Sequence, residues 1–260
     1  MTHEDEYYDN MVTMLELIWG EGYMAPGGRG NVAILLEGTE PEGKRILDIG
    51  CGIGGPAMDM ARLHGAEVVG IDLESPLIHR ANASAEKLGL QDRCTFECVA
   101  PGELRFSDGS FDIVVSSGAI TQTEAKASMF GECYRVLRPG GYLSCYEWMK
   151  SEGEYSDDMH YWFKLEGLTY ALETLEKYGE RLREAGFADV QTMDASDWYR
   201  AEARREYNLI RGDLYARLVE LLGQGDADHF VEDWRAMVVV CDSGEMRQGY
   251  CRGRRPQADR

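Results

Sequence analysis

A chain of 260 residues with 44% hydrophobic content is long enough to fill one α/β core with additions. Its formal net charge of −19 argues against a nucleic-acid partner, because phosphate recognition needs clustered Lys and Arg, and favours a small-molecule partner. The same acidity also suits solubility or a saline habitat.

In chain order, Asp9–Trp19 has the spacing of an amphipathic helix, and residues 20–28, rich in glycine with one proline, read as a loop. Residues 45–49 form an apolar strand that runs into Gly50, Gly52, Gly54 and Gly55, with Asp48 two positions before the first glycine. Glycines there let the backbone turn sharply and approach a ligand with no Cβ in the way. Pro56 then suits the first turn of a helix. A second strand, 67–71, ends at Asp72, about twenty positions after the turn, where a carboxylate is placed to hold both hydroxyls of a ribose.

Strands follow at 94–98, 112–116 and 141–146, separated by helical stretches, so the chain is α/β with a doubly wound, mainly parallel sheet. Ligands in such sheets sit outside the carboxyl ends of the strands. Beyond Trp148 the pattern predicts a helix over 161–178, a sixth strand over 187–193, two helices within 201–240 and a seventh strand over 246–252. Arg252, Arg254, Arg255 and Arg260 make a basic tail that reads as a solvated end.

Three segments result: an N-terminal helix and lid loop over 1–43, a ligand-binding core over 44–150, and a completion of the sheet with a helical cap over 151–260. Seven cysteines without a C-x-x-C pair, and no paired histidine spacing, point to reduced thiols in a cytoplasmic protein without a metal. No apolar run approaches the ~20 residues that span a bilayer, and the acidic start is unlike a secretory signal.

The ordered motifs LDIGCGIGG (47–55), FSDGSFD (106–112) and YRVLRPGG (134–141), with Asp72, resemble those of class I S-adenosylmethionine-dependent methyltransferases. The resemblance covers roughly residues 44–149 and implies S-adenosylmethionine as cofactor and S-adenosylhomocysteine as product. It sets Asp48, Gly50, Gly52 and Gly54 against the methionine moiety and Asp72 on the ribose, with Leu73, Ala100 and Ser117 also at the cofactor. Relatives often carry an Asp after the third strand for the adenine amino group. Ala100 and Pro101 stand there instead, leaving adenine to backbone groups, Glu103 or apolar packing.

Residues 19–28 (WGEGYMAPGG) resemble the lid entry of the phosphoethanolamine, glycine-sarcosine and dimethylglycine N-methyltransferase group, in which a tyrosine, here Tyr23, reaches the acceptor. The departures matter as much. The Asp and His that follow the fourth strand in the phosphoethanolamine enzymes correspond to Gly118 and Gln122, their phosphate-binding Arg to Leu168, and a late Lys to Glu245. An anionic phosphate facing a carboxylate is strongly disfavoured.

Tyr23 and Gln122 are therefore the expected catalytic residues, without a histidine base. Thioethers, and tertiary amines in their free-base form, attack without losing a proton, so a missing base leans toward them. Tyr23, Trp148 and Tyr170 are candidates for an aromatic cage around a cationic product. Glu147 and Glu245 are candidates for an acceptor ammonium, and Arg247 for a carboxylate. The expectation is methyl transfer to a small zwitterionic amino acid or methylamine, such as sarcosine, dimethylglycine or methionine. Phosphoethanolamine is the alternative acceptor, and a cofactor-binding protein without turnover the non-enzymatic one. A dinucleotide oxidoreductase fits poorly, since Pro56 breaks the G-x-G-x-x-G fingerprint. Oligomeric state is open.

Overall fold

The computed structural model describes residues 9–257; Arg260 and the acidic start lie outside the described residues. Seven strands, β1 (Arg45–Ile49), β2 (Glu67–Asp72), β3 (Cys94–Cys98), β4 (Phe111–Ser117), β5 (Leu137–Lys150), β6 (Ala188–Asp194) and β7 (Met246–Arg254), form one sheet in the order β3-β2-β1-β4-β5-β7-β6. The first five are parallel, and β7 runs antiparallel between β5 and β6. Central strands covered on both faces need apolar side chains on both, and Ile46, Leu47, Ile113, Val114 and Val115 are all buried.

The helices are α1 (Asp9–Trp19), α2 (Gly28–Leu35), α3 (Gly55–His64), α4 (Ser75–Leu88), α5 (Lys126–Val136), α6 (Asp157–Glu166), α7 (Leu175–Glu184), α8 (Ser196–Arg211), α9 (Tyr215–Leu222) and α10 (Gln224–Asp242). The fold class and all seven strands stand where the sequence predicts them, with β5 extended at both ends. Three helical expectations change. The stretch 161–178 is not one helix: α6 stops at Gly167, which adopts φ 71°, and α7 restarts when the Thr174 hydroxyl accepts from the Lys177 amide. The two late helices are three, broken at Gly212 and Gly223. The last glycine of the lid stretch, Gly28, opens α2, where buried Asn31, Val32 and Leu35 supply by packing what two glycines take from helix propensity.

Helices α6, α8, α9 and α10 pack on one another and close a cap over the strand ends. Its core contains Trp148, Trp162, Leu172, Tyr199, Leu218, Trp234 and Met237, and α1 joins the same cluster through Met14, Leu15 and Ile18.

Candidate functional site

At the carboxyl end of β1 the chain turns through the glycines and is bonded to its neighbour strand. The Gly50 and Cys51 amides both donate to the Ile71 carbonyl, at 2.8 and 3.0 Å. The Gly52 amide donates to Asp72 Oδ2 at 2.9 Å and the Glu74 amide to Asp72 Oδ1 at 3.0 Å. Asp72 is thereby aimed along the turn. A Cβ on Gly50, which has φ 69°, would fall 2.1 Å from the Ala119 Cβ, so only glycine fits between β1 and the segment after β4.

Asp48 sits beneath this turn, 3% exposed, and its Oδ2 has no hydrogen-bond partner. Burial and the charge of Asp72 push its carboxyl up to about 7. Such an orphaned acceptor beside a glycine cradle is built for a ligand rather than for stability.

The N-terminal arm lies across the turn. The Gly55 amide donates to the Gly22 carbonyl at 3.1 Å, and a Cβ on Gly55 would stand 2.0 Å from that oxygen. Glu16 accepts from the Gly22 amide at 2.8 Å and pairs with Arg80. The Tyr23 hydroxyl donates to Asp59 Oδ2 at 2.5 Å, and Arg29 and Arg62 hold the same carboxylate. Burial and this acceptor raise the Tyr23 phenol. Its proton is directed at Asp59, so in this structure the hydroxyl, expected as a catalytic group, latches the arm to α3. Asn31 of α2 donates to Ser117 at 3.1 Å and accepts from the Tyr250 hydroxyl at 2.7 Å, tying α2 to the ends of β4 and β7.

A cavity of about 840 Å³ runs from the strand ends into the cap, well within the size of small-ligand sites. Asp48, Gly50, Gly52, Asp72, Leu73, Ala100, Ser117 and Gln122 line it, as do Tyr23, Trp148 and Tyr170. Gly54 does not face it; with φ 82° it caps the start of α3.

Glu147, Glu245 and Arg247 are not on the wall, and their expected acceptor roles are corrected by what each side chain does instead. Glu147 is fully buried, accepts from Ser116 Oγ at 2.7 Å and from the Thr121 amide at 2.9 Å, and so pins the short 3₁₀ turn Ile120–Gln122 that carries Gln122. Burial pushes its carboxyl up to about 7. Glu245 accepts from the Ser156 amide and hydroxyl at the start of α6. Arg247 is held by Asp194 and the Gly244 carbonyl.

Residues that the sequence reading missed complete the cap end of the wall. Asp233 of α10 lines the cavity, 3% exposed, with no partner for its Oδ1. Glu166, also on the wall at the end of α6, accepts from the Tyr170 hydroxyl at 2.9 Å, and its charge raises the Asp233 carboxyl well above the usual range on top of burial. Glu206 of α8 accepts from Trp19 Nε1 at 2.6 Å and Trp234 Nε1 at 3.1 Å, joining the arm to the cap; burial holds it near 7. Among the described residues, no Lys or Arg lines the cavity. The nearby Cys51 thiol is pushed far up by burial, so it supplies no thiolate.

Comparison with known proteins agrees with this geometry. Residues 46–141 match the family model described as a methyltransferase domain. The chain is 32% identical over 200 residues to a phosphoethanolamine N-methyltransferase from Plasmodium falciparum, covering 75% of this chain and 73% of that one. The chain belongs to the class I S-adenosylmethionine-dependent methyltransferases, in the phosphoethanolamine N-methyltransferase group.

A group member from Zea mays, phosphoethanolamine N-methyltransferase 1, is 31% identical over 245 residues, covering 94% of this chain and 48% of its own length. The chain thus spans about half the length of such plant relatives. Among solved structures, phosphoethanolamine N-methyltransferase 2 from Haemonchus contortus, in complex with phosphomonomethylethanolamine and S-adenosylhomocysteine, superposes with a TM-score of 0.89 at 26% identity, over 97% of this chain and 59% of that one. Methyltransferases of this class use S-adenosylmethionine. The orphaned Asp48 oxygen, the Asp72 carboxylate and the cradle that a Cβ would fill fit that group.

Proposed function

We propose that the protein transfers the methyl group of S-adenosylmethionine to the nitrogen or sulfur of a small acceptor, with a methylamine favoured over an amino acid. The observation that carries this reading is one continuous cavity with a glycine and carboxylate cradle at the strand ends and an aromatic and acidic wall in the cap. When bound, the cofactor supplies a methyl group on a sulfonium, which an acceptor lone pair displaces in line.

Asp72 would hold the ribose, Asp48 and the glycine backbone would face the methionine moiety, and Leu73 and Ala100 would pack on the adenine. The arm, fastened by the Gly22 to Gly55 contact, keeps water from the reacting atoms. Gln122 lines the cavity on a turn fixed by Glu147, and its neutral amide orients an acceptor without taking a proton. With the Tyr23 hydroxyl engaged by Asp59, and Asp48 and Asp72 assigned to the cofactor, the strand-end wall leaves no base for the acceptor, which suits a thioether or a tertiary amine that binds as its free base.

A carboxylate or phosphate on the acceptor finds no Lys or Arg among the described residues of the wall. That observation weighs against amino acids. It also weighs against phosphoethanolamine, the second reading, which rests on the named activity of the relatives.

A methyl-transfer assay read by mass spectrometry tests the proposal, using S-adenosylmethionine with dimethylaminoethanol, methionine, glycine, sarcosine, dimethylglycine and phosphoethanolamine. Methylation of dimethylaminoethanol is expected. Transfer to phosphoethanolamine would support the second reading, and S-adenosylhomocysteine binding with no transfer to any member would support a binding protein without turnover.

A further inference from the structure

Most of the cavity wall is apolar or neutral, yet the cap end holds two carboxylates with no Lys or Arg on the wall among the described residues. Asp233 is almost completely buried, lines the cavity and leaves Oδ1 without a hydrogen-bond partner. Glu166 lies within hydrogen-bonding reach of Asp233, so that burial and this neighbour favour a proton on Asp233, and one Glu166 oxygen is already held by the Tyr170 hydroxyl. Trp148, Tyr170, Phe230 and Trp234 line the same cavity. The only imidazole on the wall among the described residues, His229, is exposed and donates its Nε2 proton to the Leu165 carbonyl.

Two like charges brought together in a dry pocket are unfavourable unless a cation or a proton is shared between them. Structural carboxylates elsewhere in this chain solve the problem with built-in donors. Glu206 has two indole N–H groups, and Glu147 has a hydroxyl and an amide. Asp233 Oδ1 has no such built-in donor, and the carboxyl is left to share a proton with Glu166, so an ammonium arriving from the cavity can take that proton's place. Aromatic faces beside a carboxylate pair are complementary to an organic ammonium, through cation–π attraction and charge. The net charge of −19 adds a field that draws cations and repels anions.

We propose that Glu166 and Asp233 form the specificity site for the acceptor, holding the cationic end of a small organic amine that carries no acidic group. The assignment rests on the methyl-transfer reading above and narrows it to a substrate class. An acceptor whose nitrogen is itself the methyl-receiving atom meets the site as the cationic product; one with a second amine meets it in the ground state as well. A phosphobase or an amino acid would set its anion in a cavity where, among the described residues, carboxylates are present and no Lys or Arg is.

Titration calorimetry tests this with two near-isosteric probes, dimethylaminoethanol and dimethylglycine, which differ in a hydroxymethyl against a carboxylate. Each is titrated with and without saturating S-adenosylhomocysteine, into wild type and into the Glu166→Gln, Asp233→Asn double variant. The expected result is a preference of about 10-fold or more for dimethylaminoethanol in wild type, reduced to about 3-fold or less in the variant, in line with losing a desolvated charge partner. S-adenosylhomocysteine affinity should be unchanged, which also shows that the variant is folded.

Equal or tighter binding of dimethylglycine by wild type, or an undiminished preference in the variant, would overturn the assignment. Failure of wild type to bind S-adenosylhomocysteine would instead overturn the methyl-transfer reading, while the amine preference in its absence would still report on the carboxylate pair.

Discussion

The two ends of the cavity are built by different means. At the strand ends the chemistry is carried by backbone: amides bonded to the Ile71 carbonyl, a carboxylate aimed by the Gly52 and Glu74 amides, and glycines wedged where a Cβ cannot go. At the cap end it is carried by side chains from α6 and α10 that meet only because the helices pack. The first kind of site is rigid and tolerates few substitutions. The second is adaptable, and a handful of changes on two helices would re-aim it without disturbing the cofactor.

The largest effect should come from breaking the rigid end. Gly55→Ala puts a methyl group 2.0 Å from the Gly22 carbonyl, so the arm must lift. S-adenosylhomocysteine affinity is expected to fall more than 10-fold, about 1.4 kcal/mol, with a lower melting temperature, as calorimetric titration and a thermal melt would read. Next, Asp72→Ala removes the proposed ribose contact and should cost about 1.5–3 kcal/mol of cofactor binding, typical of hydrogen bonds to a charged group. An affinity within error of wild type would remove the ribose assignment.

Asp48→Asn probes the same end through pH. The folded-state carboxyl lies near 7, above its unfolded value, so the folded protein without ligand binds the extra proton and its stability falls as pH rises from about 4 to 7. Asparagine removes that proton uptake. Urea melts at pH 5 and pH 8 should show a smaller drop for the variant, by about 1–3 kcal/mol, the range for burying an unpaired polar group. Glu147 and Glu206 contribute slopes of the same sign in both proteins, and these cancel in the difference.

Tyr23→Phe tests the latch: loss of about 1 kcal/mol of stability with the rate at saturating substrates retained is expected, and a collapse of that rate would restore the phenol to the chemistry. Smallest of all, Gly30→Ala lies on the exposed face of α2 with open space around it and should stabilise by about 0.5–1 kcal/mol, leaving both ends of the cavity intact.

The same contrast explains what was legible in the sequence. The strand ends are local: an acidic residue, glycines at fixed spacing and a second acid twenty positions on fall within one βαβ unit, so Asp48, Gly50, Gly52 and Asp72 could be read before any fold was known. The cap is not local. Glu232 and Asp233 are neighbours of the same charge, yet Glu232 pairs with Arg235 outside while Asp233 turns into the cavity. Nothing in the residue types separates them; only the packing of α10 against α6 and α8 does. Glu147, Glu245 and Arg247 failed as acceptor contacts for the related reason that a charged residue near a strand end has local uses, pinning a turn or capping a helix, that spacing alone does not reveal.

Glu206 gives this architecture a kinetic consequence. A single buried carboxylate accepts one hydrogen bond from the indole N–H of Trp19 on the arm and another from that of Trp234 on the cap wall. Lifting the arm to exchange spent cofactor therefore strips this carboxylate of a donor and loosens the wall on which the acceptor rests. On the methyl-transfer reading proposed above, the expected order is cofactor first, acceptor second, and methylated product out before the spent cofactor, which product-inhibition kinetics would check.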